Sequence, residues 1–370
     1  MKKTEFRSLH LAQEAQVIAK SEEIVLLCGR GDTHHLAGQI IEVVNNRRIG
    51  QTPLQLAHTD FGWFSDGEPD HAFNNWEEIK DKHVVFFLST HNLELVLELL
   101  ILIRAIKKRY HAKSLTVVLP FMAFRRQDHP EIDAEFDLNL WFIENIKQNG
   151  ADRLVVCDIH SKRTLENCQA VGLEAHHVKP TPLYAAALTD TVTQATELGK
   201  KLKVISPDKG SLLRCIALAK MIKASVVVSL KKRSETGNIV TKVEPSPEET
   251  RMIEGLAAEH GVSIELISEE VVKDVICILR EDELDTGGTA SYTCRDLMRA
   301  GAHRVELVVT HMKCSPTWKR KIVRKSPFHR IYGGDTIYRE YQDRTGGLVV
   351  DIFTDVIIAE TLAEVLDSLE

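Results

Sequence analysis

The sequence predicts an α/β protein of two domains, each a mainly parallel sheet flanked by helices. Two observations carry this. Short apolar runs, Ile24–Cys28, Val84–Leu88, Leu115–Leu119, Leu154–Cys157, Val204–Ser206, Val226–Leu230, Val275–Leu279 and Val305–Val309, alternate with helical segments. Such runs suit strands buried on both faces of a parallel sheet. The chain has 370 residues, long enough for two domains of ordinary size.

Along the chain, residues 1–22 are a polar extension. The first domain is expected over 23–180 and the second over 181–350, with a boundary where Pro180 and Pro182 interrupt the periodicity between His177 and Leu183. Residues 351–370 form a C-terminal segment ending in a helix over Leu362–Leu369. Helices are also predicted from Asp32 to about Asn45, and over Asn92–Lys108, Glu135–Gln148 and Ser211–Ile222. Ser234–Thr250 is polar and reads as a loop, and Lys313–Arg344 is rich in Lys and Arg without a clear pattern. The stretch Gly150–Val156 resembles Gly301–Leu307; each follows a helix and leads into a strand ending near a histidine, which hints at two copies of one α/β unit.

Composition narrows the function. Hydrophobic residues make up 44% and charged residues 27%, as in soluble globular proteins, and a net charge of −6 argues against a broad nucleic-acid surface. The seven cysteines show no CxxC spacing or disulfide framework, which points to a reducing, cytoplasmic setting. The N-terminus lacks the apolar core of a signal peptide, and the Asn92 helix, interrupted by Glu94, Glu98 and Arg104, is too charged to span a membrane.

The chemistry centres on Val275–Thr293. An apolar strand leads into Glu281, Asp282, Glu283 and Asp285, then Thr286-Gly287-Gly288-Thr289, then a helix. Glycines let backbone N–H groups approach a ligand, and the helix N-terminus seats a phosphate. Carboxylates can hold vicinal sugar hydroxyls directly or through Mg²⁺, so the loop suits a phosphorylated sugar. A tight turn with solvated acids fits the same residues.

Further motifs stand at strand ends. Phe64, Asp66 and Glu68 put an aromatic beside two acids, suited to a base and its ribose; a plain turn fits equally. Arg126, Gln127 and Asp128 follow the strand ending at Pro120, where ligands bind in open sheets. Asp158 and His160 are spaced to share a face of a strand. Asp208 in Ser206-Pro207-Asp208 can serve Mg²⁺ or cap a helix. Lys231, Lys232 and Arg233 open the polar loop, either as solvated charges or as cations closing over a phosphoryl group.

In this order the motifs resemble the ribose-phosphate diphosphokinase (phosphoribosyl pyrophosphate synthetase) family over roughly residues 24–312. The resemblance implies two type I phosphoribosyltransferase-like domains and transfer of the diphosphate of Mg·ATP to the anomeric hydroxyl of ribose 5-phosphate. By similarity, Phe64, Asp66, Glu68, Arg126, Gln127 and Asp128 serve ATP, His160 and Asp208 serve Mg²⁺ and the ATP phosphates, and Lys231 and Arg233 are catalytic cations. Glu281, Asp282, Asp285, Thr286, Gly287, Gly288 and Thr289 hold ribose 5-phosphate. It also implies a homo-oligomer, dimer or hexamer, that shares the ATP site between subunits, with no nucleic-acid or membrane partner. Arg280, Glu281, Lys209, Ser211 and Arg125 depart from the family's usual residues. The N-terminal extension, the insertion near Ser246–Glu269 and the divergent stretch after Ser315 are not explained by the resemblance. A regulatory, non-catalytic paralogue and a nucleobase phosphoribosyltransferase are the alternatives at this level.

Overall fold

The computed structural model describes residues 23–30, 33–48, 53–72, 76–128, 130, 134–230, 244–324 and 327–369. It divides into two units, one running to Val178 and completed by Asp355–Glu370, the other Lys179–Thr354.

The first unit runs β1 (Ile24–Cys28), α1 (Thr33–Arg47), β2 (Leu56–His58), the hairpin β3 (Asp60–Trp63) and β4 (Pro69–Ala72), β5 (His83–Phe87), α2 (Leu93–Arg104), β6 (Ser114–Leu119), α3 (Leu138–Asn149), β7 (Arg153–Cys157), α4 (Arg163–Ala170) and β8 (Glu174–Val178). Six strands form one parallel sheet in the order β2-β1-β5-β6-β7-β8, and the antiparallel hairpin is a sheet of its own.

Period-2 alternation sends neighbouring residues to opposite faces. Val25, Leu27, Val84, Phe86, Val117 and Val156 pack under α2 and α3. Ile24, Leu26, Cys28, Val85, Phe87 and Val155 pack under α1 and the C-terminal helix α13 (Asp355–Asp367). That helix begins seven residues before the sequence expectation, and its Ile358, Leu362, Val365 and Leu366 complete the first core.

The second unit runs α5 (Thr181–Ala187), α6 (Thr189–Glu197), β9 (Leu202–Ser206), α7 (Leu212–Ile222), β10 (Ser225–Val228), α8 (Pro247–His260), β11 (Ile264–Leu266), α9 (Glu269–Val272), β12 (Ile276–Glu283), α10 (Gly288–Arg299), β13 (Arg304–His311), α11 (Trp318–Ile322), β14 (Arg330–Gly334), α12 (Tyr341–Thr345) and β15 (Val349–Ile352). Its seven strands are parallel, in the order β11-β10-β9-β12-β13-β14-β15. The α/β class with mainly parallel sheets thus holds in both units.

The similarity between Gly150–Val156 and Gly301–Leu307 is structural. Both glycines have positive φ, 118° and 87°. Ala151 N–H donates back to Ile146 O and Ala302 N–H to Leu297 O. Asp152 N–H then bonds Leu115 O, and His303 N–H bonds Val275 O, each 2.9 Å. One helix-to-strand joint is therefore used twice.

Three further elements differ from expectation. The helix expected from Glu135 starts at Leu138, because Asp137 is its N-cap and accepts from Leu140 N–H at 2.7 Å. The loop expected to reach Thr250 ends at Ser246, which forms a capping box with Glu249 and, with Pro247 next, opens α8. The strand expected to stop at Leu279 continues to Glu283, since Arg280, Glu281 and Glu283 pair in register with Val308, Val309 and His311. The first acids of the loop are thus strand residues.

Candidate functional site

In the second unit the acid segment is anchored from below. Arg280 is fully buried; its guanidinium lies 5.0 Å over the Tyr184 ring and donates to Thr310 Oγ1 at 2.9 Å and to the Glu281 carbonyl. Glu281 and Asp282 are buried at the strand end, while Asp285 and Thr286 are half-buried on the turn. Gly287 is the helix N-cap at φ 73°, a left-handed conformation that suits glycine. A Cβ there would collide with Ile322 of α11. Thr286 Oγ1 accepts weakly from Gly288 N–H at 3.4 Å, and the first turn of α10 follows.

The stretch that resisted reading in the sequence forms the wall of this loop. Trp318 is buried edge-on against Tyr341, 5.7 Å between centroids, which fixes α11. Ser315 donates its hydroxyl to Asp285 Oδ1. Lys321 Nζ lies 3.5 Å from where a Cβ on Gly288 would stand, so a cation sits beside the helix N-terminus. Ser315 and Lys321 were missed because their roles depend on packing of Trp318 and Ile322, which leaves no spacing signal.

Asp208 follows β9, the strand paired with β12, so both leave the same sheet edge. Its Oδ1 accepts from Ser211 N–H at 2.9 Å and from Ser211 Oγ at 3.1 Å. Lys209 reaches Glu249 of α8 at 2.7 Å, and this hydrogen bond, followed by that to the Ser246 backbone, pulls the Glu249 pKa down to about 2. Ser211 therefore orients the Asp208 carboxylate, and Lys209 ties α8 to the turn. At the same edge Ser229 N–H bonds Ser206 O at 3.0 Å as the chain leaves β10. Lys231 and Arg233 come next in sequence and lie outside the described residues.

In the first unit Arg126, Gln127 and Asp128 follow β6, with Arg126 and Gln127 exposed and Asp128 buried. Arg125 is buried and donates to Asp158 O at 2.5 Å. Ser161 Oγ donates to Asp128 Oδ2 at 2.6 Å. These bonds bring the Arg126–Asp128 loop against the His160 loop. The expected shared face of Asp158 and His160 does not hold: β7 ends at Cys157, and Asp158 turns the chain with φ 42°. His160 is half-buried on that loop, in the first unit, whereas Asp208 is in the second.

Phe64, Asp66 and Glu68 form the tip of the β3–β4 hairpin. Phe64 N–H bonds Glu68 O at 2.8 Å, Gly67 takes φ 89°, and Asp66 Oδ1 accepts from Glu68 N–H at 3.0 Å. The Phe64 ring is 55% exposed, an aromatic face offered to solvent. The hairpin root is held by Arg30, which lies 5.3 Å over Phe61 and 5.7 Å over Trp63 and pairs with the fully buried Glu98 at 2.8 Å. Among the described residues no helix is long and apolar enough to cross a membrane.

Comparison with known proteins follows this geometry. The N-terminal domain of ribose phosphate pyrophosphokinase matches residues 25–135, and a phosphoribosyl transferase domain matches residues 176–334. Ribose-phosphate pyrophosphokinase 1 of Streptococcus pneumoniae is 29% identical over 297 residues, 77% of this chain and 79% of the relative. The Streptococcus agalactiae enzyme of the same name is 28% identical over 86% of this chain and 88% of its own length. Ribose-phosphate pyrophosphokinase 2 of Enterococcus faecalis is 29% identical over 81% of this chain and 84% of its own length. The crystal structure of phosphoribosylpyrophosphate synthetase from Mycobacterium smegmatis superposes with a TM-score of 0.72 at 21% identity, covering 94% of this chain and all of that one, a likeness of fold. With both component domains matched in order and the phosphoribosyltransferase fold shared, the chain belongs to the ribose-phosphate pyrophosphokinase family.

Proposed function

We propose that the chain is a ribose-phosphate diphosphokinase, converting ribose 5-phosphate and Mg·ATP to phosphoribosyl diphosphate and AMP. The carrying observation is the loop in which Asp285, anchored by Ser315, precedes a Gly287 turn and the N-terminus of α10 with Lys321 beside it. In this reading the 5-phosphate takes the N–H groups of Thr286–Thr289, the helix dipole and Lys321, while Glu281, Asp282 and Asp285 accept from the ring hydroxyls.

ATP is assigned to Arg126, Gln127 and Asp128, with the exposed Phe64 stacking on adenine and Asp66 and Glu68 on the ribose. The hairpin tip reaches the site of a neighbouring subunit in a homo-oligomer, a dimer or hexamer; exposure of Phe64 at the tip supports this. The free, buried cysteines are those of a cytoplasmic protein.

Mg²⁺ fits the hard oxygen donor set. The Asp208 carboxylate is oriented by Ser211, and buried carboxylates end the neighbouring strand. When bound, Mg²⁺ would neutralise phosphate charge; the Asp208 carboxylate would serve the ion, and His160, a nitrogen donor of the first unit, is assigned to Mg²⁺ and the ATP phosphates on the family resemblance alone. The anomeric hydroxyl oxygen forms a bond to the β-phosphorus, its proton passing to solvent, as the bond from the β-phosphorus to the bridging α-phosphate oxygen breaks and AMP leaves with that oxygen. Lys231 and Arg233 are assigned to the charge developing in that transition state. Positioning and charge do most of this work.

The N-terminal domain match favours this reading over a nucleobase phosphoribosyltransferase, which has no use for the Arg126–Asp128 loop. Incubation with ribose 5-phosphate, Mg²⁺ and ATP labelled at the β-phosphate tests it. Label recovered in a pentose bearing a new diphosphate supports the reading; label remaining in ATP or released as inorganic phosphate contradicts it.

A further inference from the structure

The first unit holds a second set of chemistry-bearing side chains that none of the motifs above uses. Cys28 ends β1 and His58 ends β2, and the two are partners in the parallel register, so their side chains leave the same face of the sheet. His34 lies in the first turn of α1, the helix that packs on that face. The Cys28 sulfur and one ring nitrogen from each histidine all lie within 4.8 Å of one another. The two rings meet edge to face, 4.0 Å between centroids. Cys28 is fully buried, His34 half-buried and His58 exposed, so the cluster runs from the core to the surface and leaves an ion a route in.

A buried thiol and two packed imidazoles can be mere core filling, but one feature points to a ligand. Nδ1 of His34 is buried and has no hydrogen-bond partner among the described residues, a loss that an occupied site removes.

We propose that Cys28, His34 and His58 bind one late first-row divalent cation of the Zn²⁺ type, with a fourth position open to solvent. One thiolate and two imidazoles are the soft and borderline donors that select such ions over Mg²⁺. Tetrahedral ligation brings ligand atoms to roughly 3.5 Å apart, so the cluster needs to close by no more than about 1.3 Å through side-chain rotation. On coordination the Cys28 sulfur–proton bond gives way to a sulfur–metal bond as the proton passes to solvent. The ion ties the ends of β1 and β2 to α1, two residues before the β3–β4 hairpin begins.

Titration of the chelator-treated full chain with Co²⁺ under reducing conditions tests this independently of any catalysis. The expected result is one Co²⁺ per chain with a thiolate-to-cobalt charge-transfer band, abolished by Zn²⁺ and unaffected by excess Mg²⁺. Cys28→Ser removes the band, and His58→Ala, a surface change, weakens Co²⁺ binding at least about tenfold. Should Cys28→Ser fail to fold, His34→Ala and His58→Ala decide the matter. Absence of the thiolate band in the wild-type chain, or an unchanged band and affinity in both histidine variants, overturns the site.

Discussion

The hydroxyl of Ser161 donates to Oδ2 of Asp128 across 2.6 Å, joining the loop after β7 to the loop after β6. A hydrogen bond to a charged group contributes about 1.5–3 kcal/mol. Ser161→Ala should therefore loosen Arg126 and Gln127, raising KM for ATP by roughly tenfold while KM for ribose 5-phosphate shifts less than about twofold. Steady-state kinetics with each substrate varied separately checks this; equal changes in both would detach the loop from ATP.

Gly287 and Ile322 leave no room for a side chain between them, and the backbone at 287 is left-handed. Gly287→Ala should weaken ribose 5-phosphate binding at least about tenfold through a displaced helix N-terminus, with ATP binding retained. Lys321→Ala should cost about 1 kcal/mol of ribose 5-phosphate affinity, an effect that shrinks with added salt. Calorimetric titration of each variant with both ligands provides the readout.

Leu362 of α13 is 1% exposed in the core of the first unit. Leu362→Ala should cost about 2–5 kcal/mol of stability, seen as a lowered melting temperature by circular dichroism. A chain truncated before Asp355 should lose the first unit's cooperative transition.

His83 is buried, with Nδ1 2.6 Å from Ser114 Oγ, and burial, then the charge of Lys113, lowers its pKa below 6.5. Below 6.5 the unfolded chain binds a proton here that the folded chain does not. The stability this group contributes is therefore complete above 6.5 and is lost as pH falls toward the folded value. His83→Gln should narrow the gap in melting temperature between about pH 7.5 and 5.5. An unchanged gap would remove His83 as a cause.

Much of the fold was legible because buried parallel strands are continuous apolar runs; Ile24–Cys28 was read to the residue. The edges were not. β2, β11 and β15 are edge strands of three or four residues, too short to give a period, and β12 extends through Arg280, whose guanidinium donates to Thr310 and stacks on Tyr184, partners distant in sequence. The capping box at Ser246 was present as Ser-Pro-Glu-Glu and could have been read. Among the candidate site residues, the acids and the Thr-Gly-Gly-Thr turn carry local chemistry and stood out. Ser315 and Ser161 bond Asp285 and Asp128, and Lys321 lies beside Gly288, through tertiary packing that no spacing reveals.

The central claim is tested most directly by AMP formation from Mg·ATP with and without ribose 5-phosphate, on the purified chain and on Asp285→Ala. Ribose 5-phosphate-dependent AMP in the wild type, lost in Asp285→Ala with ATP binding intact, is the predicted result. AMP that forms equally without the sugar, or persists at the wild-type rate in Asp285→Ala, would contradict the account.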